Sequence, residues 1–404
     1  MARHITTGID IGTSATRVVI AEETVVNGRV QSKIIGTGMS ESKGVHEGYI
    51  VNQAEAARSL LQAVRQAEKV AGVQVKRAYA SVGGIGLSGV TATGSTIVSR
   101  ADLEITPLDI DKATEAAETA IPHAVVLNKK IINTIPVEHK ADGKVVWGRV
   151  QGLKAQKLDV KVLFIMCLEH HIQDLIKTIE DVNIEVTDVV AAPIAASFVT
   201  LSKKQKKAGC VLINIGSETL SMVVYENSSP ISLEVFPIGG TDITNDIALG
   251  LKVGLEEAES IKLGAITNAV YSKKKLDDII HARLSDCFEL IEGHLKRIGR
   301  NALLPAGVVI TGGGSNLNNI RNFAETSLKL PAHLGDVHFG EEKPGVEKEK
   351  TKDSSWATAY GLAVLGLNAG NDLTSIGPSQ IDKITKGGKT FISKIGEWIS
   401  QFLP

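Results

Sequence analysis

Aromatic residues are scarce in this sequence, at 4% of 404 residues. Base-stacking surfaces need aromatic side chains among cations, and the formal net charge of -1 provides no field that attracts a polyanion. We therefore expect no nucleic-acid partner. The only three cysteines, Cys167, Cys210 and Cys287, lie apart in apolar runs. Isolated cysteines of this kind are typical of buried, reduced thiols.

Metal-binding and membrane-spanning motifs are also lacking. No CxxC or HExxH spacing occurs, so the sequence predicts no metal site built from cysteine or histidine. Apolar runs stay below the ~20 residues that span a bilayer, and the opening MARHITTGID contains no apolar signal segment. We expect a protein that stays in the cytoplasm.

The pattern of apolar residues predicts alternating strands and helices in the first part. It indicates a hairpin over 5–20, a helix over 54–70 and a strand over 77–82. Residues 85–160 differ, with short strand-like runs at 91–98, 129–137 and 145–150 around a helix at 109–120. This change predicts a small α+β module inserted into the chain.

Strands and helices resume with a strand at 158–167 and a helix at 171–181. The basic stretch SKKQKKAG at 202–209 is predicted to be an exposed linker. The elements predicted after it are a hairpin at 211–225, helices within 256–300, a strand at 307–310, a charged loop at 340–355, a helix at 356–367 and a polar tether at 369–389.

One internal echo suggests a duplication. GIDIGTSATRVVIAE at 8–22 aligns with LINIGSETLSMVVYE at 212–226, placing Asp10 over Asn214 and Gly12 over Gly216. The echo opens each half of the chain. It therefore favours two duplicated α/β domains that face each other across a cleft.

Three glycine-rich turns are candidates for binding phosphate. GIGLSG at 84–89 fits GxGxxG, but a strand-like run follows where a dinucleotide site needs a helix, so we interpret it as a domain junction. In DIGTSATR, the amides of Gly12, Thr13 and Ser14 can point at an anion, Asp10 can orient Mg2+-bound water, and Arg17 can return to the phosphates. An ordinary β-turn explains this segment alone equally well. TGGGS at 311–315 follows a strand and allows close approach of a ligand.

With these motifs in this order, the sequence resembles the actin, DnaK-type chaperone and sugar-kinase superfamily, and within it the FtsA family of bacterial cell-division proteins. DIGTS at 10–14 looks like the first phosphate motif, VLINIGSET at 211–219 like the second, and TGGGS like the adenosine motif. PIGGTDITNDIA at 237–248, EEAESIK at 256–262 and NTIPVEHKADG at 133–143 resemble further segments of FtsA. The resemblance spans nearly the whole chain.

The resemblance implies an α/β, actin-like fold of two duplicated domains around a nucleotide cleft, with an inserted α+β subdomain and a C-terminal amphipathic helix. It implies these boundaries: 1–84 and 161–195 for the first actin-like subdomain, 85–160 for the insert, 196–235 and 306–368 for the second actin-like subdomain, 236–305 for a helical subdomain, 369–389 for a linker and 390–404 for the membrane-targeting helix.

It also implies that the cleft binds ATP and Mg2+. Asp10 and Asn214 would position the metal or its water. The implied nucleotide contacts are Gly12, Thr13, Ser14, Arg17, Gly216, Ser217, Thr219, Gly239, Gly240, Glu259, Lys262, Gly312, Gly313, Gly314 and Ser315.

FtsA proteins polymerise, bind the C-terminal tail of FtsZ and recruit later division proteins. By resemblance we expect these partners here, the later proteins binding through the insert. In the helical subdomain, Lys296, Arg297 and Arg300 could receive the acidic FtsZ tail, although a solvated helix face explains them equally well.

The C-terminal segment FISKIGEWISQFLP has the spacing of an amphipathic helix. Its apolar face consists of Phe391, Ile392, Ile395, Trp398, Ile399, Phe402 and Leu403. A terminal helix docked on its own domain is the alternative, but a lysine-containing tether precedes this one and favours an anionic membrane surface. We expect a peripheral protein on the inner face of the cytoplasmic membrane at the division site.

Several positions depart from the family pattern. Ala15 stands where FtsA proteins carry lysine, Asn214 replaces an aspartate, Glu218 replaces a glycine and Ala192 replaces a glutamate of the chaperone relatives. Loss of positioned carboxylates lowers rates by roughly 10²- to 10⁴-fold, so we expect at most a weak ATPase. The alternatives are a PilM-like ATP-binding protein of pilus assembly and, less favoured, a sugar or acetate kinase.

Overall fold

A computed structural model describes residues 4–26, 29–265, 271–337, 341–342 and 353–374. Their strands form three main sheets and one two-stranded ribbon. The first sheet has the order β11-β6-β1-β2-β3-β17. Its strands are β1 (His4–Ile11), β2 (Ala15–Val26), β3 (Arg29–Glu41), β6 (Arg77–Val82), β11 (Glu185–Ala191) and β17 (Glu341–Glu342). The ribbon pairs β4 (Val45–His46) with β5 (Tyr49–Ile50).

Helices cover both faces of the first sheet. Helix α1 (Gln53–Ala71) begins where the Asn52 side chain accepts the Glu55 amide, and it ends at Gly72 in the left-handed conformation. It packs on β3 so closely that a Cβ on Gly38 would lie 1.9 Å from the Ala63 carbonyl oxygen. Gly8 of β1 lies in register with Thr37, the neighbour of Gly38 on β3. Because successive side chains of a strand point to opposite faces, Gly8 faces the other side of the sheet, where helix α11 (Ala357–Thr374) packs.

The inserted region forms its own sheet in the order β7-β10-β8-β9. Its elements are β7 (Ser88–Ile97), α2 (Pro107–Thr119), α3 (His123–Val126), β8 (Lys129–Ala141), β9 (Lys144–Val146) and β10 (Lys157–Leu168). Helix α2 packs against β7 and β10 around a separate small core that includes Ile105 and Phe164. The predicted boundary at residue 160 therefore falls inside β10, a strand of the insert's sheet. The strand predicted over 145–150 is shorter, since β9 ends at Val146.

The second large sheet has the order β14-β13-β12-β15-β16. Its strands are β12 (Cys210–Ile215), β13 (Leu220–Glu226), β14 (Ser229–Phe236), β15 (Val308–Thr311) and β16 (Ala332–Leu334). The remaining helices are α4 (Glu169–Glu180), α5 (Ala192–Thr200), α6 (Lys203–Ala208), α7 (Gly240–Leu251), α8 (Leu255–Lys262), α9 (Lys273–Arg297) and α10 (Ile320–Leu328), with 3₁₀ turns η1 (Gly313–Asn316) and η2 (Ser354–Trp356).

One prediction about the second half is only partly right and another is wrong. Residues 202–209 are largely exposed, as expected, but most of them form a helix rather than an irregular linker: Ser202 caps helix α6, and Lys206 lies 5.0 Å from the ring centres of both Phe198 and Tyr225. The helix predicted at 356–367 was assigned to the second actin-like subdomain, and the residues from 369 onward were assigned to the tether. In the structure this helix, α11, continues to Thr374 and packs on β1, β2 and α5 of the first domain.

Helix α11 packs against the strands with which the described part of the chain begins. Trp356, in the turn just before α11, and Tyr360, within α11, are fully buried in the core of the first sheet. That core also contains Leu212 and Leu233 from the second sheet and Leu163 from the insert. The three sheets therefore share buried contacts where they meet.

Candidate functional site

The two hairpins predicted from the internal echo have the same closed turn. In the first, the Gly12 amide donates to the Ala15 carbonyl at 3.2 Å; in the second, the Gly216 amide donates to the Thr219 carbonyl at 2.8 Å. The echo is therefore a structural repeat. The Gly12 amide is engaged inside its own turn, which contradicts the expectation that it points at an anion. Thr13 and Ser14 lie at the tip beyond it.

Two partly buried residues of opposite charge stand behind the first tip. Asp10 and Arg17 are opposite each other on β1 and β2, and the Ser81 hydroxyl donates to Asp10 Oδ1 at 2.7 Å. Burial raises the pKa of Asp10, opposed by the Ser81 hydrogen bond and by Arg17. Burial lowers the pKa of Arg17, opposed by the charges of Asp10 and Asp353. An arginine so placed stays charged.

The second tip holds the start of helix α7. The amides of Gly240 and Thr241 donate to the carbonyls of Gly216 and Ser217 at 2.9 and 2.7 Å. A Cβ on Gly239 would lie 2.5 Å from the Ser217 carbonyl oxygen, so only glycine allows this approach. The first turn of α7 is thereby fixed against the hairpin.

Two more predicted residues meet this same helix start. Lys262 Nζ donates to the Gly240 carbonyl at 3.0 Å and to Thr244 Oγ1 at 2.8 Å, and it lies 2.7 Å from Glu259 Oε2. The Lys262 side chain is only 10% exposed, whereas that of Glu259 is 45% exposed. A cation and an open carboxylate therefore stand side by side at the edge of α7.

The TGGGS turn packs directly on the second hairpin. Strand β15 lies parallel to β12, which brings Thr311 beside Asn214. Gly312 has a φ of +84°, and a Cβ there would lie 2.2 Å from Asn214 Oδ1. Ser315 turns inward, because its hydroxyl donates to the Gly312 carbonyl at 2.7 Å and lies 2.8 Å from the hydroxyl of Ser354. The second tip, the start of α7 and this turn thus form one continuous wall.

The two tips are joined by a feature that the sequence reading missed. We call residues 45–50, the β4–β5 ribbon, the strap. The Gly48 amide donates to Thr13 Oγ1 at 3.1 Å, and the preceding amide of Glu47 donates to Glu218 Oε2 at 2.5 Å. Gly44 and Gly48 around VHE indicate a tight turn, but nothing local indicates that the turn contacts both hairpins.

Glu218, which stands where the family pattern has a glycine, reaches across to the strap. Its carboxylate accepts the Glu47 amide and lies 3.1 Å from His46 Nδ1. Glu47 and Glu218 are 171 positions apart in the chain. The carboxylate therefore lies between the two hairpins rather than in solvent.

A family model described as "Cell division protein FtsA" matches residues 211–361. A protein of that name from Pseudomonas aeruginosa is 25% identical over 393 residues, covering 92% of this chain and 91% of its own. The one from Borreliella burgdorferi is 29% identical over 357 residues, covering 83% and 85%. This chain is an FtsA-like cell-division protein.

Solved structures confirm the actin-like fold of this FtsA-like chain. A PilM–PilN complex of type IV pilus biogenesis superposes with a TM-score of 0.67 at 18% identity, covering 90% of this chain and 98% of that one. MreB5 of Spiroplasma citri bound to ADP gives 0.52 at 11% identity, covering 92% and 99%.

The basic cluster of the FtsA-like chain is neutralised by its neighbours. Lys296 Nζ lies 2.9 Å from Glu292, an Arg297 nitrogen lies 3.7 Å from Glu234, and Arg300 donates to Glu226 at 2.7 Å. The cluster is thus a row of ion pairs at the end of α9, not a free cationic patch. An acidic peptide would have to exchange with these glutamates.

The remaining predictions concern the tail and metals. The seven apolar residues from Phe391 to Leu403 lie outside the residues that the structure describes. Among the described helices, none is both long and apolar enough to cross a bilayer. Within the same residues, no three His, Cys, Asp or Glu side chains cluster as ligands for a metal ion.

Proposed function

We propose that this chain is an actin-like scaffold that polymerises, anchors FtsZ filaments at the inner face of the cytoplasmic membrane at the division site, and recruits later division proteins through its insert. The match to FtsA proteins over about nine-tenths of both chains carries this proposal. The packing of the second hairpin against the start of α7 and against the strand that leads into TGGGS supports it.

The cleft would bind ATP between its hairpins. Lys262 and Glu259 of α8, which lie beside the start of α7, would contact the nucleoside, and the turn at Gly312 would approach it closely. Within the described residues Arg17 Nε is buried without a hydrogen-bond partner, which suits an anionic ligand nearby. The fold is shared with MreB5, solved with ADP.

Mg2+ would be held beside Asp10 through water and would neutralise phosphate charge. Hydrolysis would be slow, because Asn214 supplies no carboxylate and Ala192 cannot position a water molecule. A turnover in a phosphate-release assay comparable to that of a DnaK-type chaperone would contradict this part of the proposal.

Membrane attachment would come from the amphipathic segment 390–404. The test is co-sedimentation with vesicles that contain anionic lipid, comparing the full chain with a version that ends after Thr374, since helix α11 runs that far. We expect binding by the full chain only, and weaker binding to neutral vesicles. The control is full-length Trp398→Lys, which keeps the tail but charges its apolar face. Equal binding by the truncated protein would refute the anchor.

A PilM-like role in pilus assembly is the second candidate, favoured by the PilM–PilN superposition over 98% of that chain. The two roles differ in the peptide that is bound. Fluorescence anisotropy with an FtsZ C-terminal peptide and with peptides derived from PilN would separate them. We expect the FtsZ peptide to bind, with added salt weakening the contact if charges at α9 take part.

A further inference from the structure

The strap binds both hairpin tips through two consecutive backbone amides. Gly48 donates to Thr13 on the first tip and Glu47 donates to Glu218 on the second. Since successive amides are only a few ångströms apart, the two side chains that accept them must also lie near each other. The strap and the Glu218 carboxylate therefore occupy space between the two tips.

The strap is held firmly on its other side. A Cβ on Gly48 would lie 2.5 Å from the Gly84 Cα, and both glycines have positive φ. The Tyr49 ring packs edge-on against His171, with ring centres 4.6 Å apart. The strap therefore cannot retreat without disturbing the junction between β6 and the insert. The contact joins the Glu218 carboxylate to the Glu47 backbone amide. The carboxylate is the more movable partner, because it ends a flexible side chain.

The charge at this point opposes an additional phosphate. The Glu218 side chain is 24% exposed, and its neighbour His46 is 65% exposed and so is largely solvated. Ala15, at the first tip, contributes no cation. A carboxylate that is partly removed from water repels a nearby anion more strongly than one in bulk solvent does.

We propose that Glu218 makes the cleft discriminate between nucleoside diphosphates and triphosphates. A diphosphate leaves the contact between Glu218 and the strap intact, whereas the terminal phosphate of a triphosphate must displace Glu218 from the Glu47 amide. The cleft consequently binds ADP more tightly than ATP. This inference rests on the proposed nucleotide binding and names its specificity residue.

The first test is calorimetric titration of the full chain with ADP and with ATP in the presence of Mg2+. We expect wild type to bind ADP at least tenfold more tightly. Glu218→Gln should reduce that ratio severalfold by tightening ATP, because glutamine keeps an acceptor for the Glu47 amide but carries no charge. Glu226→Gln is the matched control: it removes a carboxylate at the far end of β13, and the ratio should not change.

A second measurement uses wild type alone, so it does not depend on a variant folding. Hydrogen exchange of the Glu47 amide should accelerate with saturating ATP and stay slow with ADP. Equal affinities for the two nucleotides, an unchanged ratio in Glu218→Gln, or unchanged exchange with ATP would overturn the inference while leaving nucleotide binding in place. If neither nucleotide binds to any of the proteins, the inference and the proposed nucleotide site fail together.

Discussion

Asp188 offers a quantitative test of the packing between the first sheet and its surroundings. It lies on the edge strand β11, at an irregularity in the pairing with β6, and faces Tyr79 in the register. Its Oδ1 accepts the Val189 amide at 2.7 Å, and among the described residues no ion pair is formed with it. Burial raises the pKa of Asp188 from 3.8 to about 7, against the opposing effect of that hydrogen bond.

The sign of the pH effect follows from this. The folded state holds a proton that the unfolded chain releases near pH 4, so stability is fully present below pH 4 and is lost as the pH rises through about 7. The difference between the two pKa values corresponds to at most about 4 kcal/mol. Because Asp188 is only partly buried, we expect Asp188→Asn to stabilise the fold by about 1–2 kcal/mol at pH 8.

The assay is urea denaturation of wild type and Asp188→Asn between pH 4 and 8.5. Asparagine resembles the protonated acid in shape and keeps the acceptor for the Val189 amide. The free energies of unfolding should converge near pH 4 and separate as the pH rises to about 7. If the stability of the variant and that of wild type changed by the same amount between pH 4 and 8, the account of Asp188 would be refuted.

Two further substitutions test the fold elsewhere. Asp109 is fully buried; burial raises its pKa, but hydrogen bonds from Thr106 and Ser99 outweigh this and hold the pKa below its usual value. Asp109→Ala should cost about 1–3 kcal/mol of stability at pH 7 and less at pH 3, where the unfolded wild-type chain binds a proton that the folded carboxylate does not; urea denaturation at the two pH values measures this. Gly361→Ala places a Cβ 1.8 Å from the Ala195 carbonyl oxygen. It should reduce the free energy of unfolding by about 1–3 kcal/mol and so lower the melting temperature. Gly293→Ala, at an open site in α9, is the control for it and should leave stability equal or slightly higher; equal effects of the two would contradict the tight packing of α11.

The sequence by itself determined the features that depend on neighbouring residues. The two hairpins, the strand before TGGGS and the helix at 53–71 follow from short apolar patterns and from glycine, which tolerates tight turns. The family resemblance rested on these same local motifs. Glu259 and Lys262 were also expected at the cleft, and the structure places both beside Gly240.

Only the tertiary structure decided which distant segments meet. It returned helix α11 to the first domain, carried strand β10 into the insert's sheet and placed Lys206 over two aromatic rings. It also paired Glu218 with the strap, 171 residues from Glu47 in the chain. Such contacts depend on how whole sheets pack, and a local pattern carries no record of the surface that will lie opposite it. The chemistry of the cleft is set by those opposing surfaces.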